Sequence, residues 1–171
     1  REKGTNRSRF FRGQVDKYTW VDVGSSYLPS DMLAGYLQAQ FVKRDEIQAK
    51  RAQIWDRYYE ELEDWAEEHH VQLPALPDEA EQAYHLFFML LPSLEVRTRL
   101  IDFLKARSIL SVFHYLPLHL SDMGKQFGGE EGDGPVTEDV SDRLLRLPMY
   151  YELSEAEQHD VIQALYDFTD W

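Results

Sequence analysis

Basic and aromatic side chains alternate at the start of the chain, a combination suited to binding a phosphate group beside a flat ring. The first 17 residues hold six of the 18 Lys and Arg side chains but only two acids. Guanidinium groups pair with phosphate oxygens and also stack on aromatic faces. A charged rim of a protein interface would have the same composition, so both interpretations stay open. The residues concerned are Lys3, Arg7, Arg9, Arg12 and Lys17, with Phe10, Phe11, Tyr18 and Trp20 among them.

A second candidate site lies in residues 114–119, HYLPLH. Pro117 fixes its own φ angle and so stiffens the exit from a predicted strand. This stiff exit could present Tyr115 and His119 toward a pocket. A histidine that only fills a structural position is the alternative interpretation of His119.

Metal sites and the common catalytic motifs are not indicated. His114, His119 and Asp122 match no common zinc spacing. The acidic, glycine-rich stretch 128–142 lacks the alternating oxygen ligands of a calcium loop. The P-loop, Rossmann and nucleophile-elbow motifs do not occur. We therefore predict no metal ligand and no complete catalytic site in this sequence.

The composition describes a folded, strongly acidic protein. The 171 residues are 43% hydrophobic and 13% aromatic, enough for one core of ordinary size. A formal net charge of −13 argues against nucleic acid and anionic membrane as partners, because both attract excess Lys and Arg. The absence of cysteine fits a reducing cytoplasm, where we expect the protein. No apolar run approaches the roughly 18 residues of a membrane span.

The hydrophobic pattern predicts an α+β chain with a long helix and a small antiparallel sheet. Residues 1–29 are predicted as extended segments and turns, and Ser30 as the cap of a long or gently kinked helical region over 31–70. Strands over 84–91 and 109–115 flank a predicted helix over 94–107, and residues 128–142 are predicted to form a mobile loop. Ser154 begins a final helix over 155–171 through a capping box.

Four strings of the sequence carry a resemblance to a known family. They resemble, in order, the C-terminal half of the sugar-nucleotide aminotransferases of the DegT/DnrJ/EryC1/StrS family. The resemblance implies a fold-type I enzyme that depends on pyridoxal phosphate and acts as a homodimer. In the subgroup with the most similar strings, glutamate donates its amino group to the C4 keto carbon of dTDP-4-keto-6-deoxyglucose for surface-glycan synthesis. The strings are REKGTNRSRFFRGQVDKYTWVDVGSSYLPSD, AGYLQAQ, FHYLPLH and RLLRLPMYYELSEAEQ.

The resemblance also implies a division of the chain. Residues 1–30 would join it to a large domain, and residues 31–171 would form a C-terminal small domain with the long helix. Since the sequence has no initiator methionine, we expect it to be the inside of a larger protein. The cofactor-binding lysine of the family lies upstream of the matched segment, and no lysine of this chain stands in its context. We therefore expect the chain alone to be inactive; a non-catalytic module that dimerises or binds a sugar nucleotide is the alternative.

The resemblance assigns roles to five residues. Ser26 stands where the family commonly has an Asn that reaches the cofactor phosphate of the other subunit, and a hydroxyl can donate to phosphate as an amide does. The P-L-H segment of the family lines the sugar-nucleotide pocket, which makes Tyr115 and His119 substrate-binding candidates. Tyr18 and Arg12 would lie near the mouth of that pocket, where the diphosphate binds.

Overall fold

The computed structural model describes residues 5–14, 19–24, 27, 29–77 and 79–171. The chain divides into two compact units, Arg1–Arg44 and Asp45–Trp171. The predicted α+β class is confirmed. In chain order the elements are α1 (Arg7–Phe11), α2 (Asp31–Val42), α3 (Arg44–Glu68), β1 (Phe87–Leu90), α4 (Leu94–Ala106), a 3₁₀ turn (Leu118–Leu120), α5 (Asp122–Gln126), α6 (Pro135–Arg143), β2 (Leu144–Leu147) and α7 (Glu155–Tyr166).

Asn6 organises the start of the first unit. Its N–H donates to the Thr19 carbonyl oxygen at 3.1 Å, and its Oδ1 accepts from the Thr19 N–H at 2.5 Å. Its own carbonyl oxygen accepts from the N–H groups of Arg9 and Phe10 at 3.0 and 3.1 Å. These bonds begin α1, so the prediction that this stretch lacks helix was wrong for residues 7–11. The pattern of five residues is too short to show a helical period.

The predicted helical region over 31–70 is present as two successive helices. Ser30 Oγ accepts from the Leu33 N–H at 3.3 Å and caps α2, and Asp31 lies in the first turn, where a negative charge is favourable. Lys43 separates α2 from α3 with φ −101° and ψ 8°.

The core of the second unit is built on α3. Its buried side chains recur every three or four residues, as the amphipathic pattern predicts. The Phe87 ring of β1 lies 5.5 Å from the Trp55 ring and 5.2 Å from the Tyr58 ring. Tyr58 is fully buried, and its hydroxyl donates to the Pro148 carbonyl oxygen at 3.0 Å. Other core residues include Leu62, Trp65, Met89, Leu100, Leu104, Leu145, Val161 and Leu165.

The sheet of the second unit is a short antiparallel pair. Phe87 of β1 lies opposite Leu147 of β2, and Leu90 lies opposite Leu144. The two strands alternate between buried and partly exposed side chains, which places one face on the core. The strand predicted over 84–91 is therefore confirmed in its central residues, whereas β2 was not predicted.

The strand predicted over 109–115 is wrong. Only Val112 pairs, forming an isolated antiparallel bridge with Arg146. The left-handed backbone of Ser108 (φ 62°) and Tyr115 (φ 29°) brackets the segment and prevents an extended run from continuing on either side. Leu110 and Phe113, two of the apolar residues that suggested the strand, are exposed.

The loop predicted over 128–142 contains a helix. Pro135 is the first residue of α6, where its fixed φ angle suits a helix and its missing N–H is no loss. The acids and glycines of this stretch dominated its composition and hid the helical spacing of Val136 and Val140. The final helix is confirmed with its capping box at Ser154 and Glu157, and it ends at Tyr166. Over the ranges that the structure describes, no helix has both the length and the apolarity needed to cross a membrane.

Candidate functional site

The predicted site residues fall in both units. Ser26 and Tyr18 lie outside the described residues. Arg12 lies in the first unit, directly after α1, and its Nε donates to Gln14 Oε1 at 3.3 Å on an exposed surface. Tyr115 and His119 lie in the second unit, where the structure places both beside α6.

Tyr115 has a strained backbone and an exposed side chain. Its φ angle of 29° lies in the left-handed range, which costs a non-glycine residue of order 1–3 kcal/mol. The side chain is 76% exposed, and its ring lies edge-on to His114 with 5.4 Å between the ring centroids. An exposed aromatic ring on a constrained backbone is well suited to contacting a ligand.

His119 is hydrogen-bonded to a carboxylate. It lies in the 3₁₀ turn, and its Nε2 is 2.7 Å from Glu138 Oε1 in α6. The two side chains are only 23% and 17% exposed, so water screens this pair less than an open surface pair. An ionised carboxylate has no proton to donate, so Nε2 carries the proton and His119 is the donor.

The Glu138 carboxylate also gathers two backbone donors. The Gly132 N–H lies 2.9 Å from Oε1 and 3.1 Å from Oε2, and the Gly134 N–H lies 3.2 Å from Oε1. The hydrogen bond from His119, together with those from the two glycine N–H groups, lowers the pKa of Glu138 below its ordinary value. The carboxylate thus joins the loop before α6 to the 3₁₀ turn.

The turn that carries His119 is closely packed against glycines. A Cβ atom at Gly124 would lie 2.0 Å from the Leu118 carbonyl oxygen, and one at Gly129 would lie 2.4 Å from the His119 carbonyl oxygen. Both distances are far too short for any side chain, so glycine is required at both positions. The backbone of His119 is therefore fixed from two sides.

An apolar groove of about 580 Å³ lies between residues 114–118 and α6. Its first wall carries Tyr115 and Pro117, and its second wall carries Val136, Thr137 and Val140. A groove with apolar walls and an aromatic ring at its edge can hold a flat ring or the apolar face of a sugar.

The sequence does not single out Glu138, which lies in the stretch predicted to form a mobile loop. The usable signal was Pro135, since a proline at a helix start places the residues that follow it on an ordered element. Among the residues that the structure describes, no three His, Asp or Glu side chains come together to hold a metal ion.

Comparison with known proteins identifies the family. The model of the DegT/DnrJ/EryC1/StrS aminotransferase family matches residues 1–166. The spore coat polysaccharide biosynthesis protein SpsC of Bacillus subtilis is 29% identical over 147 residues, which cover 80% of this chain and 36% of SpsC. The dTDP-3-amino-3,4,6-trideoxy-alpha-D-glucose transaminase of Micromonospora megalomicea is 25% identical over 164 residues, which cover 95% of this chain and 43% of that enzyme.

The fold agrees with this result. The crystal structure of a DegT DnrJ EryC1 StrS aminotransferase from Brucella abortus superimposes with a TM-score of 0.76 and 30% sequence identity, covering 96% of this chain and 43% of that one. The chain thus spans about two-fifths of the length of these similar proteins. A match along residues 1–166, with the same fold, shows that the chain belongs to the DegT/DnrJ/EryC1/StrS aminotransferase family.

Proposed function

We propose that this chain is the C-terminal part of a sugar-nucleotide aminotransferase that moves an amino group from glutamate to the C4 keto carbon of a dTDP-4-keto-6-deoxy-hexose. We propose that its subgroup is that of the dTDP-4-amino-4,6-dideoxygalactose transaminases, whose strings the sequence resembles. The observation that carries the proposal is the exposed Tyr115 ring at the edge of an apolar groove, in a chain that matches the family along residues 1–166.

Two relatives support the substrate class. One is named as a dTDP-3-amino-3,4,6-trideoxy-alpha-D-glucose transaminase, and the other as a spore coat polysaccharide biosynthesis protein. A nucleotide sugar offers a flat base, a diphosphate and a sugar ring. The groove beside Tyr115 suits one of the two rings, and a guanidinium such as that of Arg12 suits the diphosphate. Surface-glycan synthesis is the process that we propose for the product.

The proposal gives each predicted substrate-binding residue a separate role. Arg12, with Tyr18 close to it in sequence, would bind the diphosphate. Tyr115 would pack against a ring of the substrate. His119 is also proposed to lie at the substrate, although its Nε2 is already occupied by Glu138.

Pyridoxal phosphate is the cofactor that the family resemblance implies. When bound, it supplies the electron sink for amino transfer. Ser26, the residue proposed to hold its phosphate, has a hydroxyl that can donate to a phosphate oxygen, so the chemistry of this side chain fits the group. We propose that the lysine that holds the cofactor belongs to a part of the enzyme outside these 171 residues. In this arrangement residues 1–30 join the two parts, and residues 31–171 form the small domain.

The assembly and location follow from the same resemblance. We propose a homodimer in the cytoplasm, with Ser26 of one subunit facing the cofactor of the other. Glutamate and the dTDP-sugar are its substrates, and neither nucleic acid nor membrane is proposed as a partner. The acidic net charge of −13 is consistent with this choice of partners.

The test compares two polypeptides, the 171-residue chain and the product of the whole reading frame that contains it. Each is incubated with pyridoxal phosphate, glutamate and dTDP-4-keto-6-deoxyglucose, and 2-oxoglutarate is measured. We expect the longer product to form 2-oxoglutarate in repeated turnovers only when the keto sugar is present, because without an acceptor each active site can convert only one glutamate. The chain alone should form none. A borohydride-reducible cofactor adduct at a single lysine of the chain would contradict the expected inactivity of the chain.

The same experiment separates the alternative, a non-catalytic module that dimerises or binds a sugar nucleotide. Such a module would bind dTDP-glucose, or form dimers, but its whole reading frame would release no 2-oxoglutarate. A frame that encodes no cofactor-binding lysine would favour the module.

A further inference from the structure

The hydrogen bond between His119 and Glu138 connects the two walls of the groove. His119 directly follows the first wall, residues 114–118, and Glu138 lies in α6, the helix whose residues Val136, Thr137 and Val140 form the second wall. Breaking this bond would leave the two walls free to separate beside Tyr115.

Tyr115 needs support from both sides to keep its backbone conformation. On the preceding side, the Val112 N–H donates to the Arg146 carbonyl oxygen at 3.2 Å, and the Arg146 N–H donates to the Val112 carbonyl oxygen at 2.8 Å. Arg146 Nη2 also donates to the Phe113 carbonyl oxygen at 3.2 Å. A strained residue persists only where its surroundings fix it. The following side therefore requires an anchor as well.

The anchor on the following side is the turn that carries His119. Gly124 and Gly129 pack closely against its backbone, and the Glu138 carboxylate is hydrogen-bonded to the His119 ring. Glu138 is itself fixed by the Gly132 and Gly134 N–H groups, so it cannot follow His119 outward without losing them.

We propose that His119 and Glu138 are a positioning pair, whose hydrogen bond sets the separation of residues 114–118 from α6 and thereby holds the Tyr115 ring at the groove. Neither member has to touch the substrate for this role. The identity of the ligand rests on the proposed function, but the pairing itself does not. Nothing in the family match assigns a role to Glu138.

The test uses the 171-residue chain labelled with ¹³C and ¹⁵N, and three variants. His119→Phe keeps the ring volume but removes the bond, and Glu138→Gln keeps an acceptor oxygen without the charge. His159→Phe is the matched control, because His159 is exposed on α7. The readout is the pair of ¹³Cα and ¹³Cβ chemical shifts of Tyr115, which report the sign of φ. The second readout is the dissociation constant for dTDP-glucose.

We expect His119→Phe to move the Tyr115 shifts toward extended values and to weaken dTDP-glucose binding about tenfold. Glu138→Gln should produce a smaller change of the same direction, since an amide oxygen can still accept from Nε2. His159→Phe should change neither. Adding Tyr115→Ala to His119→Phe should cause little further loss of affinity, because both changes act through the same ring.

Tyr115 shifts in His119→Phe that equal those in His159→Phe would overturn the positioning pair. If His119→Phe does not fold, the Tyr115 shifts of Glu138→Gln are compared with those of Glu131→Gln instead. Glu131 is an exposed acid of the stretch 128–142, and equal shifts in these two variants would overturn the proposal. A wild-type chain that binds no dTDP-glucose would count against the proposed function, while the Tyr115 shifts would still decide the pair.

Discussion

His119 Nε2 lies 2.7 Å from Glu138 Oε1, and this bond links a 3₁₀ turn to a helix that lies 19 residues further along the chain. The same carboxylate accepts the N–H groups of Gly132 and Gly134. Since these bonds favour the ionised form of Glu138, the direction in which pH changes their contribution to stability can be predicted.

Acid should loosen this part of the structure. The pKa of Glu138 is lowered in the folded protein, chiefly by the hydrogen bond from His119. Its stabilising effect is therefore complete above its ordinary pKa of 4.5 and is lost as the pH falls through the lower folded value. Below pH 4.5 the melting temperature of the wild type should fall more steeply than that of Glu138→Gln. Glu131→Gln should follow the wild type, and parallel curves for all three proteins would contradict the prediction.

High pH should destabilise the protein through ionisation of Tyr58. Burial raises the pKa of this phenol well above its ordinary value of 10.0, since the charged form is poorly solvated there. Its contribution to stability is complete below pH 10 and is lost as the pH rises toward the folded pKa. Above pH 10 the wild type should lose about 1.4 kcal/mol of unfolding free energy per pH unit through this group, and Tyr58→Phe should not.

At pH 8, below the pH at which Tyr58 begins to cost stability, the wild type should be more stable than Tyr58→Phe. Tyr58→Phe should be less stable than the wild type by about 1 kcal/mol, because it loses the hydrogen bond to the Pro148 carbonyl oxygen. Urea unfolding at several pH values measures both effects. Tyr27→Phe is the control, since Tyr27 is exposed. Equal pH slopes for wild type and Tyr58→Phe would contradict the account of Tyr58.

Trp171 should stabilise the second unit through its ring contacts. It stacks on His69 with 4.0 Å between ring centroids and lies 5.4 Å from Trp65 and 5.2 Å from Phe168. Trp171→Leu should lower the free energy of unfolding by about 1–3 kcal/mol, from lost packing and ring interactions. Trp20→Leu is the matched control, since Trp20 is 77% exposed and its loss should change stability by less than about 0.5 kcal/mol. Equal losses in the two variants would contradict a role for this cluster.

The 171-residue chain should associate with itself. None of the 12 residues of α2, all of which the structure describes, is buried, and Met32, Leu33 and Tyr36 are exposed on it. Exposed apolar surface of this kind favours contact between copies. Light scattering should give a mass above that of the monomer, and Leu33→Asp should lower it more than Leu110→Asp, a matched change at an exposed leucine of the second unit. A monomer at high concentration would contradict the prediction.

Local signals predicted the helical region over 31–70, α4, α7 and one strand. Ser30 and Ser154 cap the helices that follow them, as their sequence context indicates, and Phe87 lies in a buried strand. These features depend on neighbouring residues, so they are visible in the sequence. The failures depend on distant contacts. Whether residues 109–115 form a strand is decided by the left-handed backbone at Tyr115 and by pairing with Arg146, which no local pattern reveals.

In the candidate site, too, the sequence indicates individual residues but not the contacts between distant ones. The resemblance singled out Tyr115 and His119, but it gave no indication that His119 is bonded to Glu138. That bond spans a stretch rich in acids and glycines, whose composition is typical of a solvated loop. Only the folded arrangement shows that the side chain of one of these acids is partly buried and receives three hydrogen-bond donors.

The transfer of nitrogen tests the central claim most directly. The product of the whole reading frame is supplied with pyridoxal phosphate, ¹⁵N-labelled glutamate and dTDP-4-keto-6-deoxyglucose, and the nucleotide sugar is then analysed by NMR. We predict that ¹⁵N becomes bonded to C4 of the sugar. A sugar that keeps its C4 carbonyl carbon while all ¹⁵N stays in glutamate would contradict the assignment as a transaminase of this sugar nucleotide.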